Sequence, residues 1–156
     1  MQGSLIDQVK FHLDGETPSV KTYGAGGGHQ AADFDLNPGE WLVAVLRREL
    51  PGYYQSLLAV QFETNTGRKS QWYGSRTWRA AQGIAVMPRL AAPPGQMIVG
   101  LVMRTGGFCC NGIQDIVSIE TKCFCISGHN TLDHNFQPVL LFISEVRSTK
   151  SSPTRR

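Results

Sequence analysis

Apolar and polar positions alternate at the start of the chain. Val9 and Phe11 are separated by Gln8 and Lys10, with Leu5 at the head of the run. A period of two predicts a strand over residues 5–11 with one buried face. Asp14-Gly15-Glu16-Thr17-Pro18 is turn chemistry, so residues 1–22 predict a hairpin closing near Val20. The alternation returns at Ala32–Leu36 and stops at the turn Asn37-Pro38-Gly39-Glu40. Strands are then predicted at 41–46, 57–62, 71–74, 84–87, 97–103, 113–119 and 139–143. In the 57–62 strand Leu58, Val60 and Phe62 are expected on one face. The run 47–54 reads as a polar loop and 104–112 as a long loop, and no segment carries a 3.6-residue apolar period. Turns every eight to twelve residues or so imply an all-β sandwich, barrel or prism.

The first strand has echoes. Leu5-Ile6-Asp7-Gln8-Val9-Lys10-Phe11 is repeated loosely as Ile113-Gln114-Asp115-Ile116-Val117-Ser118-Ile119. A weaker copy is Ser56-Leu57-Leu58-Ala59-Val60-Gln61-Phe62, where Leu58 takes the aspartate's place. Three related strands in one domain suggest approximate threefold symmetry.

Composition sharpens this only in part. A chain of 156 residues with 17 glycines, 8 prolines and 41% apolar residues fits many short strands and turns in one domain. The net charge of +3 permits weak contact with acidic glycans but does not predict a nucleic-acid partner. No apolar run reaches the length of a membrane span, so no membrane insertion is expected. No basic-then-apolar leader opens the chain, and Lys150–Arg156 reads as a frayed basic end.

Two stretches carry candidate chemistry. Gly3-Ser4-Leu5-Ile6-Asp7 is a tight Gly-x-x-x-Asp turn entering the first strand, and Gly24-Ala25-Gly26-Gly27-Gly28 is a loop almost without side chains. A carboxylate beside bare backbone suits a small polyol. The carboxylate accepts from two neighbouring hydroxyls, and backbone N–H groups of Leu5, Ile6 and Gly26–Gly28 donate back. The plainer reading of the same residues is a turn-capping aspartate and a loop that only turns.

Taken in order, Gly3–Val9, the Gly24–Gly28 loop, Leu36–Leu42, Leu58–Arg68, Ile98-Val99-Gly100 and Asp115-Ile116-Val117 resemble the jacalin-related lectins, closest to the animal zymogen-granule type. The resemblance covers residues 1–121 and leaves 122–156 as a C-terminal extension, read as one added strand and a basic tail. It implies a β-prism of three Greek-key four-stranded sheets with sugar sites in loops at one end. It also implies mannose-type glycans or glycoproteins as partners, a secreted location, and no enzyme activity, cofactor or metal. If the chain is complete as written, a cytoplasmic location is expected instead. The recognition loop matches Tyr53 and Tyr54, whose rings can stack on a sugar. Single sites of this kind are weak, on the order of mM to sub-mM, so useful binding needs several together, as in a homo-oligomer.

The chain departs from the family pattern at two points. The glycine-rich segment that usually comes before this starting point does not occur in the sequence as written, so the fold is expected to be incomplete at its N-terminus. In the principal Gly-x-x-x-Asp loop Asp115 matches, but Asn111 stands where glycine is expected, after an insertion of Phe108, Cys109 and Cys110 beyond Gly106. The parts that match intact are Gly3–Asp7 and Gly26–Gly28, as in members with a second site. The extension repeats a Gly-His-x-x-x-Asp pattern, Gly28–Asp33 and Gly128–Asp133. Val139–Ile143 is either a strand filling the vacated place, as in a circular permutant, or an unrelated extension.

Several other groups compete for attention. Cys123, Cys125, His129 and His134 are donors of the type zinc uses, but loosely spaced; buried thiols, or a disulfide between Cys109-Cys110 and Cys123/Cys125, suit the spacing better. No His-plus-carboxylate arrangement is legible beside Cys109 or Cys110, so a thiol enzyme is not expected. Arg68, Lys69, Arg76 and Arg79 form either a wet face or a basic patch for sulfated glycans. Two functions follow: a mannose-type lectin module, or a degenerate lectin domain that binds polyanions or proteins.

Overall fold

The computed structural model describes residues 4–12, 20–24, 29–50, 56–74, 85–105, 113–123 and 140–147; for Ser4, Leu5, Asp7, His29, Leu50, Ser56 and 140–147 it describes the backbone alone. Eleven strands and no helix occur among these residues. They are β1 (Ser4–His12), β2 (Val20–Gly24), β3 (His29–Gln30), β4 (Leu42–Leu50), β5 (Ser56–Thr64), β6 (Tyr73–Gly74), β7 (Ala85–Val86), β8 (Leu90–Ala91), β9 (Gln96–Thr105), β10 (Ile113–Cys123) and β11 (Leu140–Arg147).

All the pairings are antiparallel, in three sheets. The first runs β2-β1-β11-β3, the second is β10-β9, and the third runs β6-β5-β4-β7 with β8 also on β4. Among the described residues these three sheets hold four, two and five strands. β1 and β2 form the hairpin expected over residues 1–22, with His12 opposite Val20. β11 lies between β1 and β3, so residues 140–147 are part of the first sheet.

The three echoing segments fall one to a sheet, as β1, β5 and β10. Their inward residues meet in one core: Ile6, Val9 and Phe11 from β1, Leu57, Val60 and Phe62 from β5, Ile113 and Ile116 from β10. Phe11 and Phe62, at matching places in the repeat, meet edge to face with ring centroids 6.2 Å apart. That is the arrangement ring quadrupoles favour. The sequence echo therefore marks the strands that face one another across the core.

A second regularity follows from the ladders. In β1 the register slips between Ile6 and Gln8, making Asp7 the extra residue of a bulge. In β5 the extra residue is Leu58, between the pairs Leu57↔Glu49 and Ala59↔Arg48. These are matching positions in the repeat. The residue after each lies opposite a glycine of positive φ, Gln8 opposite Gly24 (φ 87°) and Ala59 opposite Gly74 (φ 87°). In β10 the slip falls at Gln114, one residue before Asp115.

Three local expectations change. The 47–54 loop is strand as far as Leu50. The 32–36 strand is reduced to a single bridge residue, Phe34. In β5 the core face is Leu57, Val60 and Phe62; Leu58, the bulge residue, is fully buried but outside that cluster.

Candidate functional site

The bulge at Asp7 is where the first candidate site is built. An extra residue in one strand bends it and re-aims its side chain, which is why bulges recur beside binding sites. β2 ends at Gly24, opposite Gln8, so only residues 8–12 of β1 pair with it. Residues 4–6 pair with β11 alone, Leu5 opposite Val146 and Ile6 opposite Glu145. Among the described residues the other edge of that stretch has no ladder partner. A strand edge of this kind offers N–H and C=O groups at alternate residues. Ile6 turns its own side chain into the core.

The glycine segment begins and ends at this level of the sheet. Gly24 lies across from Gln8, and His29 lies across from Glu145, itself opposite Ile6. Both anchor points thus flank residues 6–8. Gly3, Gly26, Gly27, Gly28, Tyr53 and Tyr54 lie outside the described residues.

Asp115, the last of the residues singled out from the sequence, sits near the start of β10 in a buried charged cluster. Arg47 Nε is 3.4 Å from Asp115 Oδ1 and 3.3 Å from Glu49 Oε1. The side chains are 8% (Arg47), 14% (Glu49) and 23% (Asp115) exposed. Arg47 and Glu49 point inward because they continue the core face of β4 beyond Val45. Burial, followed by the neighbouring Asp115 carboxylate, pushes the Glu49 carboxyl up to about 7, against the pull of Arg47. Arg47 Nη1, Arg48 Nε and Asp115 Oδ1 are buried without a hydrogen-bond partner among the described residues. Arg48, on the opposite face, lies over the Trp72 ring at 4.4 Å. Arg47 and Glu49 escaped the sequence reading, since a charged run normally marks a wet loop.

A second charged network has a structural character. The Glu40 side chain is 1% exposed and accepts from Arg68, Thr64 Oγ1 and Thr66 Oγ1. The Asn37 backbone N–H and side-chain amide also donate to it. Arg68, foremost, together with the other donors, holds the Glu40 carboxyl well below the usual carboxylate range, against the opposing effect of burial. Arg68 also donates to the Asp35 carbonyl and covers the Phe34 ring at 4.3 Å. Its charge is therefore matched inside the protein, which removes it from the basic patch expected at 68–79. Lys69 lies 4.0 Å from Glu63, and Arg76 and Arg79 lie outside the described residues.

No group of three or more His, Cys, Asp or Glu positioned to hold a metal occurs among the described residues. Cys123 is a free, exposed thiol at the end of β10; Cys109, Cys110, Cys125, His129 and His134 lie outside the described residues.

The model of the jacalin-like lectin domain matches residues 1–113 of the chain. The chain belongs to the jacalin-like lectin domain family. This family is a non-enzymatic carbohydrate-binding fold, and the all-β, antiparallel architecture agrees with it. Searches of curated proteins and of solved structures return no match. Within this lectin domain the bulge at Asp7 lies beside the start of the glycine segment, whereas Asp115 lies in the charged cluster of β4 and β10.

Proposed function

We propose that this lectin domain binds mannose-type glycans, weakly at each site, through Asp7 and the glycine segment. Asp7 accepts from two vicinal hydroxyls, while backbone N–H groups of Leu5, Ile6 and Gly26–Gly28 donate to the ring and hydroxyl oxygens. Tyr53 and Tyr54 stack on the apolar sugar face, and Asp115 extends the site. Glycoproteins are the natural bearers of such glycans, and multivalent display compensates for weak single sites. The observation that carries the reading is the pairing of Gln8 with Gly24, which sets the Asp7 bulge at the mouth of the glycine segment.

The test is Asp7→Ala on a glycan array, with circular dichroism as the control for folding. Mannose-type signals should vanish while the spectrum stays unchanged. Undiminished array binding by the folded variant would sink the assignment.

A further inference from the structure

The Arg47–Glu49–Asp115 cluster has a feature that simple ion pairing does not explain. Two carboxyl groups share one guanidinium in a mostly buried place. With both ionised the trio carries a net negative charge away from water, an expensive arrangement. With one proton between them it is neutral. The proton then forms an O–H donor from one carboxyl to the other, of the kind two adjacent carboxyls adopt.

We propose that Arg47 and Glu49 are positioning residues for Asp115: together they fix its carboxylate for glycan hydroxyls, Arg47 by charge and Glu49 by donating the shared proton. The proposal rests on the glycan reading above and adds a pH dependence to it. Asp115 Oδ1 is buried and faces Arg47, yet the side chain as a whole retains 23% exposure. One oxygen is thus turned inward, and the exposed part of the side chain is available to a ligand. Loss of the proton sets two carboxylates against each other, and Asp115, on β10, moves from the position β4 gives it.

Among the described residues, the strands around the pair add one cation to Arg47 that is not turned elsewhere, the solvent-exposed Arg104, whose charge water screens. Arg47 is the guanidinium between the two acids, and Arg48 of the same strand is turned to Trp72. On β9 Arg104 is the ladder partner of Asp115. The segments of β5 and β7 alongside Glu49 contribute Leu57, Leu58, Ala85 and Val86, which bring no charge. The Glu49 carboxyl, held up at about 7, titrates where the protonated form is lost between mildly acidic and mildly basic pH.

The experiment is a titration of methyl α-mannoside into the full chain from pH 6 to pH 8, read by NMR, with the carboxyl carbons of Glu49 and Asp115 followed in the same samples. Affinity should fall about tenfold across that range, as the competent fraction falls. A Glu49 inflection near 7 should accompany it. Glu49→Gln, which keeps a donor but cannot titrate, should bind with an affinity that is flat in pH. A Glu49 midpoint below pH 5.5 in the wild-type chain overturns the proposal, whether or not the variant folds. Mannoside binding that is present but flat in pH in the wild type overturns the positioning role and spares the glycan reading. No binding at any pH, with Glu49 still titrating near neutrality, overturns the glycan reading and leaves the shared proton in place.

Discussion

The guanidinium of Arg68 closes over the carboxylate of Glu40, joining the turn before β4 to the turn after β5. Glu40 is 1% exposed beneath Arg68, itself 36% exposed, so removing the base leaves the acid without its cation in a largely protein-lined place. Arg68→Ala should therefore cost about 3 kcal/mol, the range for leaving a buried charge uncompensated. Arg68→Lys should recover only part of this, because an ammonium cannot bond Glu40 and the Asp35 carbonyl in the same fork. Urea melts of the two variants beside the wild type measure both values.

The same pair fixes a dependence on acid. Glu40 titrates in the folded chain well below its unfolded value of 4.5, so its stabilisation is complete above that value and is lost as the pH falls towards the folded one. Glu49 acts with the opposite sign. Its folded value of about 7 lies above the unfolded 4.5, so the stability it contributes is full at low pH and fades as the pH rises through 7. Thermal melts from pH 3 to pH 9 should show both slopes. Glu40→Gln should flatten the acid side and Glu49→Gln the neutral side. A wild-type melting temperature constant from pH 5 to pH 8 would contradict the Glu49 slope.

Gly74 and Gly67 both adopt positive φ, at 87° and 82°, but their surroundings differ. A methyl group on Gly67 meets nothing, whereas one on Gly74 overlaps the Leu58 carbonyl oxygen and presses on Ala59 Cα. Gly67→Ala should cost only the left-handed backbone penalty, about 1 kcal/mol. Gly74→Ala should cost at least roughly 2 kcal/mol more, because backbone at the β5 bulge must shift. Equal losses for the two variants in a denaturant series would show that the bulge yields freely.

Most of the long strands could be read from the sequence because alternation and burial coincide there. β1, β9 and β10 each have one face in the core, and their apolar positions say so. β4 hid its second half because Arg47-Arg48-Glu49 looks solvated. Its charges are matched by Asp115 on β10, a partner no local pattern announces. Phe34 and Leu36 misled in the other direction. They alternate and are buried, yet the segment is held by Arg68 against the Phe34 ring and the Asp35 carbonyl rather than by a continuous ladder. At the candidate site the sequence supplied Asp7 and the glycine segment as neighbours in a list. Only the ladder, with Gln8 opposite Gly24, brings the start of that segment beside the Asp7 bulge.

β11 permits the most direct test of what completes the first sheet. It pairs with β1 from Ser4↔Arg147 to His12↔Leu140, and with β3 through Ser144↔Gln30 and Glu145↔His29. Ending the chain at residue 139 strips β1 of that edge and leaves β3 without a described partner. Unpaired backbone groups beside a core that holds Ile6, Val9 and Phe11 are costly, about 1–3 kcal/mol each where water cannot reach them. The truncated chain should lose cooperative melting, or melt at least roughly 10 °C lower. A chain ending at Arg147 should melt with the wild type. The truncation should also weaken mannoside binding, since Ile6 and His29 are anchored through Glu145. An unchanged melting temperature on removal of residues 140–156 would show that β1 and the core keep their structure without β11.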